Sequence, residues 1–195
     1  SGRVSQKTHQ MLFSPNAQWT RIDLYKELTP VLHAPLEMDN AANACLLGER
    51  WFGSFGDASN MIAVSVAEGI GSGLLVDGRI LRGRDDLAGE FGHMPFDESG
   101  PVCGCGNIGC WETIASNRAG LRYYRELVPD SQVSSFRELL DRAADGEIQA
   151  LRAIDKMAGA LARGLAIINA GLAPELILIV GDCTALWSRI CPILE

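Results

Sequence analysis

A chain of 195 residues, 47% of them apolar, fits one substantial domain or a large part of two, with ample material for a core. Its net charge of −7 argues against this segment gripping a nucleic-acid backbone by itself. No apolar run approaches the length of a transmembrane helix, so no membrane partner is expected.

In chain order, Met11-Leu12-Phe13 predicts a short strand or strand end that runs into a turn at Ser14-Pro15-Asn16. Ile22, Leu24, Tyr25, Leu28, Val31 and Leu32 recur at helical spacing and predict a helix from Ile22 to Leu32. Pro35 to Asp39 reads as extended. Asn40 to Gly53 reads as a helix capped by Asn40, with Ala41, Ala44, Cys45, Leu47, Gly48 and Trp51 as its small and apolar face. The apolar strand Met61 to Val66 then enters Ala67-Glu68-Gly69-Ile70-Gly71-Ser72-Gly73. A glycine-rich turn after a strand can bring backbone N–H groups to a phosphate, or it can simply lead into a tight hairpin. Leu74 to Leu81, with Asp77-Gly78 between apolar runs, predicts a β-hairpin.

From Gly89 to Ser116 the chain reads G-E-F-G-H-M-P-F-D-E-S-G-P-V-C-G-C-G-N-I-G-C-W-E-T-I-A-S. His93, Cys103, Cys105 and Cys110 stand in the spacing H-x9-C-x-C-x4-C. Three thiolates and an imidazole are a complete tetrahedral zinc set, which leaves no position for water or substrate and therefore folds a loop rather than doing chemistry. Gly100, Gly104, Gly106 and Gly109 allow the tight turns such spacing needs. The alternatives are disulfides or buried free thiols. No signal-peptide pattern opens the chain, so an oxidising compartment is not indicated. A metal here would also fix Glu90, His93 and Glu112 relative to one another, a way to build a site for a polyhydroxylated ligand; otherwise the two glutamates are ordinary surface residues. Cys45, Cys183 and Cys191 sit in apolar contexts and read as buried thiols.

Beyond Ser116, helices are expected over Asn117 to Leu127, over Ser134 to Ala144 with Ser134 or Ser135 as cap, and over Glu147 to Gly171. The last presents a buried stripe of Ala160, Leu161, Gly164, Leu165 and Ile168. Leu176 to Val180 is a buried strand, and a helix feeding such a run suggests a β-α-β unit in a covered sheet.

The stretch G-E-F-G-H…C-G-C-G-N-I-G-C-W-E-T-I-A-S resembles the signature of the ROK family (repressors, open reading frames and sugar kinases), and further matches run along nearly the whole chain. The resemblance implies an α/β, actin-like ATPase (ribonuclease H-like) sugar-kinase fold, mostly its larger C-terminal lobe. It places the zinc loop beside a sugar pocket, with Glu90, His93 and Glu112 binding sugar hydroxyls and His93 also ligating structural Zn2+. Ser14-Pro15-Asn16 followed by Trp19 is similar to a family segment bordering the sugar, which makes Asn16 a candidate contact as well as a turn former. Asn40 is a further candidate contact, and Gly69, Gly71 and Gly73 match the glycines of the family's phosphate loop. The resemblance also implies a bacterial, cytoplasmic homo-oligomer (dimer or tetramer). Residues 1–195 would be a segment of such a domain, lacking an N-terminal phosphate-loop strand unit, any helix-turn-helix and a terminal helix.

Three departures from the family pattern touch ATP or catalysis. The family's E-N-D-A-N-A-A-A-L-G-E, whose Asp is the catalytic base of the kinases, aligns with Asp39-Asn40-Ala41-Ala42-Asn43-Ala44-Cys45-Leu46-Leu47-Gly48-Glu49. Ala41 thus stands where the base should be. A methyl group cannot accept a hydroxyl proton, and a general base contributes about 10²–10⁴-fold. Asp39 could substitute only in a register that breaks the match at Asn43, Gly48 and Glu49. Ala67 and Glu68 replace Gly and Thr in the phosphate loop, and a carboxylate there repels triphosphate oxygens. Gly181-Asp182-Cys183 replaces the glycines against which adenosine packs. The expectation is therefore a sugar-binding effector domain of a ROK-type transcriptional regulator, without kinase activity, whose DNA contacts belong to a region outside this chain. The rival is a sugar kinase using ATP and Mg2+. A third reading is a zinc-stabilised remnant with no ligand.

Overall fold

The computed structural model describes residues 3–5, 7–14, 19–55 and 57–195. Asn16 lies outside them. The first elements are a small antiparallel meander of β1 (Arg3–Ser5), β2 (Gln10–Ser14) and β3 (Trp19–Ile22). The strand expected at Met11 to Phe13 is β2. The helix expected from Ile22 to Leu32 shrinks to α1 (Leu24–Leu28), which buries no residue. Ile22 is taken by strand pairing with Met11. Pro30, with no N–H and a ring that clashes with the preceding turn, stops the helix from continuing.

The second sheet has the order β6-β5-β4-β7. β4 (Met61–Val66) and β5 (Ile70–Val76) are antiparallel, β6 (Arg79–Ile80) closes the expected hairpin, and β7 (Leu176–Val180) lies parallel to β4. The helix expected between β4 and β7 is α6 (Ile148–Leu172), so the β-α-β unit is present. β4 is apolar except for Ser65 because both of its faces are covered. Ile62, Val64 and Val66 point into the main core, while Met61 and Ala63 point into a smaller cluster with Leu46, Leu75 and Leu178. Helix α2 (Ala41–Phe52) covers the second face. On the first face lie α3 (Trp111–Ala115), α4 (Asn117–Leu127), α5 (Phe136–Ala144), α6 and α7 (Trp187–Leu194).

Caps match the sequence signals. Asn40 Oδ1 accepts the Ala42 N–H at 2.8 Å, and Ser135 Oγ accepts the Glu138 N–H at 3.2 Å. The face of α2 is reversed, however. Ala42, Asn43 and Leu46 are buried, whereas Ala41 and Ala44 are exposed and Trp51 is 68% exposed. Small residues line this helix on both sides, so periodicity could not choose; Gly71 and Gly73 on β5 chose by admitting Ala42 against the strand. Of the cysteines expected to be buried thiols, only Cys183 is; Cys45 and Cys191 are partly exposed.

Trp111 is fully buried, and its Nε1–H donates to the Ala160 carbonyl at 2.9 Å. α6 meets this ring at Gly164, where a Cβ would fall 2.0–2.4 Å from ring atoms. Two effects oppose each other in Gly164→Ala. Helix propensity favours alanine by about 1 kcal/mol, but overpacking a rigid indole costs about 1–3 kcal/mol. The expected net result is a lower denaturant midpoint at unchanged m-value; a raised midpoint would mean that the indole moves aside freely.

Candidate metal centre and ligand site

The loop between Pro95 and Cys110 is pinched by two isolated bridges, Pro95 with Cys110 and Val102 with Ile108. Inside it the Cys103 N–H donates to the Asn107 carbonyl at 2.7 Å, and Gly106 N–H donates back to Cys103 at 2.9 Å. Gly106 and Gly109 take φ of +95° and +59°, the left-handed region the turn requires. The result brings the ligand atoms of His93, Cys103, Cys105 and Cys110 within 4.8 Å of one another. Cys103 Sγ lies 3.4 Å from His93 Nδ1, and Cys105 Sγ lies 3.6 Å from Cys110 Sγ. Ligands in a tetrahedron around zinc, bonded at roughly 2.0–2.3 Å, stand roughly 3.4–3.8 Å apart, so this donor set can hold such an ion. The sulfurs are far beyond disulfide length, and all six cysteines are free.

Crowding explains why a cation suits the site. Burial pushes the Cys110 and Cys103 thiols up, and the neighbouring sulfurs add to the rise at Cys110. At Cys105 burial also works upward, but hydrogen bonds from the Asn107 backbone and the neighbouring thiols outweigh it and the thiol falls below its ordinary range. Such a group does not become three thiolates unaided; a divalent ion among the sulfurs would stabilise all three.

The second ring nitrogen of His93, Nε2, faces Glu90 Oε2 at 3.6 Å. Both sit on one short 3-10 turn, Glu90–His93, which packs on β5. Gly89 and Gly92 lie against the Ser72 and Ile70 carbonyls, where a Cβ would collide. Glu112, in the first turn of α3, approaches the same strand, and its Oε2 accepts the Ile70 N–H at 3.0 Å. This contact requires the absence of a side chain at Gly69, where a Cβ would fall 2.1 Å from Glu112 Oε2. Asn40, Ala41 and Ala42 open α2, whose start lies on Gly71 and Gly73. Three segments, carrying Glu90 and His93, Glu112, and Asn40, therefore meet along Ile70–Gly73.

Gly71 and Gly73 belong to β5 itself, and only Ala67 to Gly69 form the turn. In that turn Glu68 Oε2 accepts from Arg118 Nε at 3.1 Å, in an exposed pair. At the same end of β4, beyond the parallel strand β7, Gly181 takes φ +136° against the Val66 carbonyl, while the Cys183 side chain turns into the core and Asp182 stays exposed.

Asp39, just before α2, is heavily engaged. Arg82 grips both oxygens, Nη1 to Oδ1 at 2.7 Å and Nη2 to Oδ2 at 2.5 Å, and Oδ1 also accepts from the Asn40 N–H and Asn43 Nδ2. Burial works to raise this carboxyl's pKa, but the bonds from Arg82, Asn43 and Asn40 outweigh it and hold the group below the usual carboxylate range. No motif pointed to Arg82, which stands 43 residues from its partner.

A sheet covered on both faces, a β-α-β crossover and a Cys/His-pinched loop against the central hairpin define the class: an actin-like ATPase fold of the sugar-kinase type. The chain belongs to the ROK family, whose model matches residues 1–187. The xylose repressor of Bacillus spizizenii is 34% identical over 173 residues, covering 89% of this chain and 44% of the repressor. A ROK family glucokinase from Streptomyces griseus, solved in complex with glucose and AMPPNP, superposes with a TM-score of 0.90 at 27% identity, covering 99% of this chain and 67% of that one. A ROK family transcriptional regulator, a homologue of the E. coli MLC protein, superposes with a TM-score of 0.85 at 30% identity, covering 100% of this chain and 51% of that one. The chain thus spans about half the length of the xylose repressors it matches. Among the described residues no helix is long and apolar enough to cross a membrane.

Proposed function

We propose that this chain is the sugar-binding effector domain of a ROK-type transcriptional regulator, that zinc on His93, Cys103, Cys105 and Cys110 orders its ligand loop, and that it has no kinase activity. The observation that carries the reading is the start of α2. Ala41 offers no acceptor for a hydroxyl proton. The carboxylate nearest in sequence, Asp39, has both oxygens committed to Arg82 and is a weaker base than an ordinary carboxylate. Glu68, at the turn where a nucleotide phosphate would approach, adds negative charge whose partner Arg118 is itself solvent-exposed.

A hexose or hexose derivative would be held by Glu90, His93 and Glu112, with Asn40 on the opposite wall and Asn16 a further candidate. Charged acceptors suit such a ligand because it offers many hydroxyls and little apolar surface. The zinc supplies no step of its own; its ligand His93 would orient Glu90 through the other ring nitrogen, as outer partners of metal sites commonly do. DNA contact would belong to sequence outside these 195 residues, in keeping with the acidic charge of this segment.

A coupled ADP-release assay with ATP, Mg2+ and a panel of hexoses tests the absence of chemistry. Turnover is expected at least about 10²-fold below ordinary kinase rates of roughly 1–100 per second. Turnover within that range would overturn the regulator reading in favour of an ATP-dependent sugar kinase.

A further inference from the structure

We infer that Arg82 is a positioning residue for the sugar site, clamping the Asn40 wall to the Glu90 wall; the inference rests on the sugar-site reading above. Its guanidinium holds Asp39 by both oxygens. Asp39 Oδ1 in turn accepts the Asn40 backbone N–H at 2.7 Å and Asn43 Nδ2 at 3.0 Å. Asn40 Oδ1 accepts the Ala42 N–H at 2.8 Å, so the rotamer of Asn40 and the first turn of α2 are set by the same chain of bonds. In the other direction, the Arg82 carbonyl accepts the Ala88 N–H at 2.9 Å. Ala88 leads directly through Gly89 to Glu90. One residue therefore ties both segments, from its side chain on one side and its backbone on the other.

The chemistry argues for geometry over stability. Arg82 and Asp39 have part-buried side chains, 33% and 18% exposed, and the cost of taking such a pair out of water offsets much of its Coulombic gain. A planar guanidinium gripping two carboxylate oxygens instead fixes direction, which an ammonium cannot do. Neither Arg82 nor Asp39 need touch the sugar.

The test is calorimetric titration of the natural full-length protein with a panel of hexoses and N-acetylhexosamines, comparing wild type with Arg82→Gln, Arg82→Lys, Asp39→Asn and the Arg82→Gln/Asp39→Asn double variant. Arg82→Gln is expected to weaken binding by about tenfold or more, and Arg82→Lys to recover only part of it. The double variant is expected to be no weaker than the worse single one, because the two residues act as a unit. Bound zinc should stay close to wild type, and the double variant, which leaves neither charge unpaired, should melt close to wild type, while hydrogen exchange at the amides of Asn40 to Asn43 quickens in Arg82→Gln. Equal affinity in wild type and Arg82→Gln, additive losses in the double variant, or unchanged exchange at α2 would each overturn the clamp and leave the sugar site standing. Absence of sugar binding by wild type would instead overturn the functional reading on which the clamp depends.

Discussion

Cys105→Ser is expected to cost the loop its metal and its fold, and sugar binding with them. Hydroxyl oxygen is a poor replacement for thiolate at a zinc ion, and the remaining three ligands lose most of the affinity that a closed site supplies. Apart from the ion, the segment from Pro95 to Cys110 is held by backbone hydrogen bonds within the loop and by two isolated bridges outside any sheet. His93 Nδ1 would lose the ion that orients it, and Glu90, which faces Nε2 at 3.6 Å, would lose its fixed neighbour. Zinc by mass spectrometry of the purified protein should fall from one per chain to near none, and sugar affinity should drop by about 10–100-fold, the range typical for disturbing the shell around a metal. The main core, built around Trp111 and α6, should persist. Wild type without zinc, or the variant with full zinc and unaltered affinity, would show that the four residues do not form the ligand set.

Glu112→Gln should separate charge from scaffold. In the structure Glu112 Oε2 accepts the Ile70 N–H at 3.0 Å, and a glutamine carbonyl can take over that bond. The turn and the metal loop should therefore survive, with zinc content and melting temperature close to wild type. What disappears is the negative charge offered to a sugar hydroxyl. A charge-assisted hydrogen bond contributes roughly 1.5–3 kcal/mol, so affinity should fall about tenfold or more. Calorimetric titration against hexoses and N-acetylhexosamines reads this directly. Unaltered affinity would leave Glu112 as a turn-holding residue only.

Several features that depend on near neighbours are present as their local patterns require. The spacing of His93, Cys103, Cys105 and Cys110 is a short-range pattern, and the structure brings those four ligand atoms together. Asn40 and Ser135 cap their helices because capping depends on residues two or three positions away. The strand Met61 to Val66 and the stripe of α6 follow from periodicity and from burial on a sheet covered on both sides.

The rest depended on partners far along the chain. The buried face of α2 was settled by Gly71 and Gly73 on a different element, since a helix lined with small residues on both sides carries no preference of its own. The expected helix at Ile22 gave way because strand pairing with Met11 claimed its first residue. Asp39, a substitute base only in a register that breaks the match, has both oxygens held by Arg82, 43 residues on. Glu112 accepts a backbone hydrogen bond from Ile70, 42 residues back. A residue's chemical type and local spacing are written in the sequence, but an ion pair or a backbone contact across a sheet exists only once the chain has brought both ends together. The sequence by itself therefore determined the family, the His/Cys cluster and most elements of this protein. The tertiary structure alone decided which carboxylates are engaged, and by whom.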